Sequence, residues 1–242
     1  MKIELNGIKN FKDVLVNVEY FLEEVKLEVD SDGLRFRGLD KSHIAFIGLY
    51  VDKEYFDVYD VAEPSSCIVD TGELVRVLKR AKNTDTMVLS WDINNLKLQF
   101  NNKDLKRSFK IRQVDMEYSS PTMPTIEYPV SFDVNYKLLI DSVKDAELYS
   151  DKVKLRTDEY TLFVETDGNY GDYKSELSTL TNLKQVSSIF SIAWLNKIFK
   201  VNGLSENIHL NMGKDMPLFV ELDDGLGLKA DFLIAPRIED FE

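Results

Sequence analysis

The sequence is short of the residues that most often carry out chemistry in proteins. Its 242 residues include one cysteine, Cys67, and two histidines, His43 and His209. One cysteine cannot form an internal disulfide, and there is no Asn-x-Ser/Thr glycosylation site, so we expect a protein of a reducing compartment, the cytoplasm. Enzymatic function is also disfavoured, because catalysis needs a nucleophile, a base or a metal ligand.

Motifs that bind phosphates, cofactors or metals are missing as well. The sequence has no GxxxxGK[ST] loop, no GxGxxG, no HExxH and no CxxC. Residues 30–33 (DSDG) begin like a calcium loop but lack the later ligands. We therefore expect no catalytic residue, no cofactor and no metal. One enzymatic alternative stays open, a metal-dependent nuclease that uses the paired carboxylates Asp223 and Asp224.

Long apolar runs and a positive net charge are both absent. The longest apolar run, residues 44–51, is far shorter than the roughly 20 residues that span a bilayer. Residues 1–5 (MKIEL) alternate like a strand rather than a signal peptide, so we expect no membrane partner. The 42 acidic residues outnumber the 30 basic ones, and the net charge of -12 argues against nucleic acid unless the cations are segregated.

The sequence contains evidence of an internal duplication. Residues 25–36 alternate with period two around an Asp/Ser/Gly turn and predict a β-hairpin. Residues 153–162 match them at an offset of 128 (153 − 25), which predicts a second hairpin. A helical pattern precedes each one, with apolar residues from Phe11 to Val25 and from Leu139 to Ala146 at three- and four-residue spacing.

A second pair of predicted helices repeats a cationic pattern. Helices are expected over residues 70–82, with a capping box at Asp70 and Glu73, and over residues 191–201. At an offset of 121 (197 − 76), two cations of the first helix superimpose on two of the second. The shared pairs are Arg76 with Lys79 and Lys197 with Lys200. Such a surface suits weak, sequence-independent contact with phosphates.

The repeat predicts an α+β protein with two similar domains, each an antiparallel sheet with two helices. We place the domains at residues 1–116 and 130–242, joined by a connecting loop at 117–129. The loop is rich in proline, which is typical of a linker. Its apolar Met123 and Ile126 are unusual for a solvated spacer and indicate that a partner docks there.

Several segments resemble a known family in the same order along the chain. Residues 33–44 (GLRFRGLDKSHI) resemble a glycine-led strand with an Asp-x-Ser-His loop, and residues 216–222 (MPLFVEL) and 232–239 (FLIAPRIE) resemble a Pro-Leu strand and a closing Leu-Ala-Pro-Arg-Ile-Glu. Residues 75–82 and 145–151 also resemble segments of this family. The chain is similar over its length to sliding clamps of the proliferating cell nuclear antigen type, above all the archaeal ones.

The resemblance implies a pseudo-six-fold trimeric ring of two-domain subunits that encircles duplex DNA at the nucleoid. Helices would line the hole, and residues 107–114 of one subunit would join residues 172–180 of the next. Such a ring tethers DNA polymerase, flap nuclease and ligase through short apolar and aromatic peptides, and an ATP-dependent loader opens it. Whether the three chains are identical stays open, as does the alternative of a monomeric single-stranded nucleic-acid-binding protein.

The resemblance also implies two sets of site residues. Asp13, Glu19 and Asp141 depart from it, because relatives often present cations at those positions. The expected partner-peptide surface consists of Leu39, His43, Ile44, Phe46, Met123, Ile126, Pro217, Leu233, Ala235 and Pro236. The expected DNA contacts are Lys12, Arg76, Lys79, Arg80, Lys144, Lys197 and Lys200.

Overall fold

Antiparallel pairing of alternating strands builds both halves of the protein. The structure, a computed structural model, describes residues 1–201 and 203–238, so Glu239 of the closing motif lies outside the described residues. Two compact units are present, and the chain passes from the first to the second between Thr122 and Met123. Each unit also contains a short segment from the other part of the sequence, residues 223–230 in the first unit and 42–46 in the second.

The first unit holds a five-stranded sheet in the order β5-β1-β7-β8-β9 and a set of strands in the order β4-β3-β2-β6. Strand β4 belongs to this unit from Ile47 onward. The two helices follow β1 and β6, and a short 3-10 turn, Val18–Tyr20, extends the first of them. The elements are β1 (Lys2–Asn6), α1 (Lys9–Asn17), β2 (Glu24–Val29), β3 (Gly33–Leu39), β4 (Ala45–Asp52), β5 (Val58–Asp60), β6 (Ser65–Asp70), α2 (Thr71–Leu78), β7 (Thr86–Trp91), β8 (Asn95–Asn101) and β9 (Lys106–Arg112).

The second unit repeats this plan with two long strands in place of several short ones. Strands β10, β13 and β14 follow one another in a sheet, whereas β11 and β12 form a hairpin of their own. Strand β15 belongs to this unit from Asp231 onward. None of the helices in residues 1–201 and 203–238 is long and apolar enough to cross a membrane. The elements are β10 (Val130–Asn135), α3 (Tyr136–Ala146), β11 (Lys152–Gly168), β12 (Gly171–Ser191), α4 (Ile192–Ile198), β13 (Asn207–Met212), β14 (Leu218–Asp223) and β15 (Leu228–Ile234).

The predicted helices exist, although α2 and α4 end earlier than expected, at Leu78 and Ile198, and side-chain caps explain where α2 and α3 begin. The Asp70 carboxylate accepts a hydrogen bond of 2.8 Å from the Glu73 amide, and Asn135 caps α3 by accepting one of 3.1 Å from the Leu138 amide. These side chains satisfy amides that have no partner within the helix. In α2 the buried stripe consists of Thr71, Leu74, Val75 and Leu78, at positions i, i+3, i+4 and i+7.

The first hairpin forms as predicted. The Asp30 carboxylate accepts hydrogen bonds from the Asp32 and Gly33 amides and closes the turn between β2 and β3. A side chain at Gly33 would place its Cβ 2.1 Å from the Val51 carbonyl oxygen, so only glycine fits there. The helix predicted before this hairpin is too long, however, because Val25 lies in β2 and not in a helix.

The second predicted hairpin forms, but its turn does not lie where the sequence predicted it. Strand β11 continues past residue 158 to Gly168, and the chain reverses only before Gly171. At the expected turn the ladder shifts register around Glu159, whose φ is 48°. The positions equivalent to Asp32 and Gly33 are Tyr160 and Thr161 (offset 128), and both residue types favour an extended strand. The second segment therefore forms a β-bulge where the first forms a turn.

Replacing Tyr136 by phenylalanine should destabilise the second unit. The buried Tyr136 hydroxyl lies 2.8 Å from the Val201 carbonyl and 3.2 Å from that of Ile198, and so ties the start of α3 to the end of α4. Tyr136→Phe leaves these acceptors without that donor, which costs about 1 to 3 kcal/mol in the free energy of unfolding. Urea denaturation measures it, with the fully exposed Tyr170→Phe as control. Equal stability of the two variants would contradict this role.

Candidate DNA and partner-peptide surfaces

In the first unit, the predicted DNA-contact cations cluster around the end of α2. The Lys12 ammonium, on α1, donates to the Ala81 carbonyl at 3.3 Å and to the Asn83 side chain. The Lys79 ammonium lies 3.0 Å from the Glu19 carboxylate in the 3-10 turn. The packing of α1 and its 3-10 turn therefore places Lys12 and Lys79 near the C-terminal end of α2.

Acidic partners hold two of these cations. Arg76 forms an ion pair with Glu73, three residues earlier on the same helix, and Lys79 forms one with Glu19. Asp13, another departure from the family pattern, pairs with Lys9 at 3.2 Å. The positive field of α2 is therefore weaker than its sequence indicates, because nearby carboxylates cancel part of the charge.

Arg80 differs from its neighbours. Among the described residues, no acidic side chain lies within ion-pair distance of its exposed guanidinium, and its carbonyl accepts a hydrogen bond of 2.6 Å from Arg107. Arg107 also binds the fully buried carboxylate of Asp85. Burial raises the pKa of Asp85, but a hydrogen bond from the Lys82 amide, one from Asn102 and the Arg107 charge outweigh it and lower the pKa. This network fixes the end of α2 against β9.

In the second unit, the three candidate cations lie toward the helix C-terminal ends. Lys144 is exposed in the last turn of α3, and no described acidic residue forms an ion pair with it. The Lys197 ammonium lies 3.4 Å from the centre of the Trp194 ring, a cation–π contact that orients the side chain. Lys200 is exposed just beyond α4. Cations at helix C-termini interact favourably with the helix dipole.

The predicted partner-peptide residues fall almost entirely within the second unit. The Ala235 amide donates to the Ile44 carbonyl at 2.8 Å, so the start of β4 and the segment after β15 are in direct contact. Phe46 and Leu233 are buried, whereas Ile44, Ala235 and Pro236 are half-buried and present apolar area. His43 is exposed with a φ of 57°, a left-handed turn conformation that directs the chain into the strand.

The two connecting-loop residues and Pro217 are also only partly exposed to solvent. Met123, Ile126 and Pro217 lie in the same unit and are half-buried, which leaves part of each apolar side chain in contact with water. Leu39 is the exception to the grouping. It is exposed at the end of β3 and belongs to the first unit. The second unit therefore contains a set of half-buried apolar residues, and partly exposed apolar area of this kind is what a site for an apolar peptide requires: Ile44, Met123, Ile126, Pro217, Ala235 and Pro236.

Each unit also ends in an unpaired strand edge. Within the described residues, β9 pairs only with β8, and residues 172–178 of β12 pair only with β11. The predicted free edge at 107–114 is too long, because the Val114 amide donates to the Ile68 carbonyl of its own unit. Exposed cations, Lys106, Lys110 and Arg112, line the β9 edge. The β12 edge carries Asp172, Lys174 and Glu176, and Lys174 pairs with Glu176 at 2.8 Å.

The residues behind the enzymatic alternative are bound within the protein's own structure. Asp223 pairs with Lys229 at 2.8 Å, and one Asp224 oxygen accepts hydrogen bonds from the Leu226 and Leu228 amides. No group of three or more His, Cys, Asp or Glu side chains within residues 1–201 and 203–238 is placed to hold a metal ion. Burial raises the pKa of the Cys67 thiol to about 12, so that thiol is unreactive.

His209 belongs to a polar network that crosses two strands. Its Nδ1 lies 2.8 Å from the Asp133 carboxylate and its Nε2 lies 2.9 Å from the Ser131 hydroxyl. The three residue types are those of a hydrolytic triad, but Ser131 lies on a strand in unbroken register with β13, not on the strained turn that exposes a nucleophile. The network therefore orients side chains on the exposed face of the β10–β13 pair.

The chain is similar over its whole length to known proteins. Residues 1–120 match the family model for the N-terminal domain of proliferating cell nuclear antigen. A DNA polymerase sliding clamp from Methanobrevibacter smithii is 37% identical over 246 aligned positions, which cover 100% of this chain and 99% of the relative. The chain belongs to the family of sliding clamps of the proliferating cell nuclear antigen type.

Solved clamp structures share the fold throughout. The PCNA2–PCNA3 complex from Sulfolobus tokodaii has a chain that superimposes with a TM-score of 0.90 at 23% identity, covering 99% of this chain and all of that one. The A. fulgidus PCNA bound to the C-terminal region of FEN-1 gives a TM-score of 0.89 at 22% identity, with 99% of each chain covered. The predicted family and two-domain α+β clamp fold are confirmed.

Some contacts of the candidate DNA-surface residues were not predicted from the sequence. Glu19 was recognised as a departure from the family, but its pairing with Lys79 joins residues 60 positions apart and leaves no local signal. The Arg76–Glu73 and Lys197–Trp194 contacts are at i, i+3 spacing, so helical geometry alone would have found them.

Proposed function

We propose that the chain is one subunit of a ring that encircles duplex DNA and tethers DNA polymerase as a processivity factor. The observation that carries this proposal is the match to sliding clamps over the whole chain, with 37% identity to one of them. A closed ring holds DNA by topology, so its contacts can be weak enough to permit sliding while the polymerase stays at high local concentration. No catalytic step is needed for this activity.

The ring is proposed to be a trimer closed by β9 of one subunit against residues 172–178 of β12 of the next. Two unpaired edges on one chain support this, one with three cations and one whose two carboxylates outnumber its single lysine, because a head-to-tail contact uses two different surfaces and can close into a ring. Pairing would also remove edges that are otherwise prone to aggregation. The Sulfolobus tokodaii complex shows that clamp chains of this fold associate with one another.

Clients are proposed to bind the apolar surface of the second unit through short helical peptides with aromatic anchors. The partial exposure of Ile44, Met123 and Ile126 supports this, since half-buried apolar side chains gain by being covered. The FEN-1 segment bound to the A. fulgidus clamp is a precedent for a flap nuclease. DNA polymerase and ligase would bind in the same way, and an ATP-dependent loader would open the ring at the nucleoid, in the cytoplasm.

Duplex DNA is proposed to contact the cations of the four helices without reading sequence. Arg80 and Lys144 are expected to contribute most to this contact, because within the described residues neither has an acidic partner that phosphate must displace. Lysine and arginine contacts of this kind release counterions and weaken steeply with salt. Lys12, Arg76, Lys79, Lys197 and Lys200 complete the proposed surface.

Primer extension on a primed circular template tests the proposal. With a matching loader and polymerase, the chain should lengthen the products made in a single binding event, and omission of loader or ATP should abolish the gain. Product lengths that stay the same with and without the chain would contradict the proposed function.

Replacing Arg80 and Lys144 together by glutamine should weaken the hold on duplex DNA. Each lost phosphate contact removes about one unit from the slope of log affinity against log salt, so the slope should fall by up to about two. Fluorescence anisotropy with a labelled duplex over a salt series measures this. The control replaces Lys53 and Lys214, exposed lysines of the first and second units that are not part of α1 to α4. Equal slopes for the two double variants would contradict the assignment.

A further inference from the structure

The helices of the first unit carry a pattern of internal charge cancellation. Lys79 pairs with Glu19, Arg76 with Glu73, and Lys9 with Asp13. Two of the three pairs, those of Lys79 and Arg76, hold cations expected to contact DNA. A phosphate that approaches this surface therefore meets cations that already have a carboxylate partner.

The Glu19–Lys79 pair differs from the other two in its geometry. Arg76–Glu73 and Lys9–Asp13 each join residues of one helix, whereas Glu19 lies in the 3-10 turn after α1 and Lys79 caps the C-terminus of α2. The Nζ–Oε2 distance is 3.0 Å, and both side chains are substantially exposed, 54% for Lys79 and 39% for Glu19. Phosphate can reach this lysine, but only in competition with Glu19.

Competition of this kind reduces what a phosphate contact contributes. An exposed ion pair is worth little, on the order of 0.2 to 1 kcal/mol, so phosphate can displace the carboxylate, but the exchange gains little. The displaced carboxylate also stays beside the DNA backbone and repels it. Both effects shorten the time for which Lys79 holds one phosphate.

We propose that Glu19 is an affinity-limiting residue of the DNA surface. It holds Lys79 in an internal ion pair and so lowers the affinity of the ring for DNA. This inference rests on the proposed clamp function and adds a residue that opposes binding to those that favour it. Glu19 acts through Lys79, so it is a positioning residue. In a ring held by topology, looser contacts leave retention unchanged and reduce friction along the duplex.

Glu19→Gln tests the inference against a matched control. Glu23→Gln removes the same charge from another exposed ion pair, with Lys41, which is not a candidate DNA contact. At low salt Glu19→Gln should bind a labelled duplex about two- to fivefold more tightly than Glu23→Gln, the range that one exposed ion pair is worth. Its salt dependence should be steeper by about one unit for each lysine that gains a phosphate.

A double-mutant cycle shows whether the effect passes through Lys79. In a Lys79→Gln background, adding Glu19→Gln should change neither the affinity nor the salt slope beyond the change made by Glu23→Gln. A gain that persists without Lys79, or equal binding by Glu19→Gln and Glu23→Gln, would overturn the inference. Primer extension with the unaltered chain reports separately on the clamp function, so the two failures are distinguishable.

Discussion

Reversing the charges of Lys110 and Arg112 to glutamate should leave the chain monomeric in solution. Both side chains are exposed on β9, the strand that has a free edge in the first unit. The proposed partner edge on β12 carries Asp172 and Glu176, so the reversal places like charges opposite one another. Such juxtaposition costs several kcal/mol at an interface, which lowers the association constant by more than about a hundredfold.

Light scattering measures this result directly. The unaltered chain should give about three times its mass of 27.9 kDa, and the reversed variant should give the mass of one chain. Lys2→Glu with Lys53→Glu makes the same change in net charge at exposed positions away from both edges and should leave the trimer intact. A reversed variant that still forms trimers would contradict the proposed edge.

A compensating change sharpens the test of edge pairing. Asp172→Lys with Glu176→Lys should also give monomers when introduced alone. A chain that carries both the β12 and the β9 double substitutions should form trimers again, because the two edges that pair once more carry opposite charges. Failure of the combined variant to assemble, with both units folded, would show that these two edges do not face each other.

Replacing Ile126 by aspartate should abolish the binding of client peptides. Ile126 is half-buried in the connecting loop of the second unit, where the apolar surface is proposed to receive an aromatic anchor. A carboxylate there would be desolvated by the peptide without a partner, and loss of a central apolar contact costs about 2 to 4 kcal/mol. The affinity for a peptide should fall by about thirtyfold or more.

The C-terminal peptide of a FEN-1 protein is a suitable probe, since that region binds the related A. fulgidus clamp. Calorimetry measures the affinity, and Thr125→Asp provides the control because it adds the same charge at the exposed neighbouring position. Both variants should keep the trimer mass. Peptide binding that is equally weak in both would contradict a specific role for Ile126.

The sequence predicted the parts of the fold that local patterns determine. Apolar spacing and the Asp70 cap located α2, and period-two alternation located β2 and β3. The turn at residues 30–33 was predictable because Asp30 and Gly33 supply a carboxylate acceptor and a glycine. The order of short family motifs then supplied the clamp fold, which spacing alone could not have done.

Features that depend on distant parts of the chain were not predictable in the same way. The segments 42–46 and 223–230 join units to which their neighbours in sequence do not belong. A bulge forms at Glu159 instead of a turn, because no glycine or Asx acceptor follows Asp158 at the required positions. The match between residues 25–36 and 153–162 did not reveal this difference. The Glu19–Lys79 pair likewise depends on the packing of α1 and its 3-10 turn against α2.

The central claim is that the chain holds DNA by encircling it, and the release of a loaded ring from a cut circle tests this most directly. The protein is loaded on nicked circular DNA with a loader and ATP, free protein is removed, and the circle is then linearised with one restriction cut. We expect the protein to stay on the intact circle and to leave the linear molecule by sliding off its ends. Retention after linearisation would contradict encirclement.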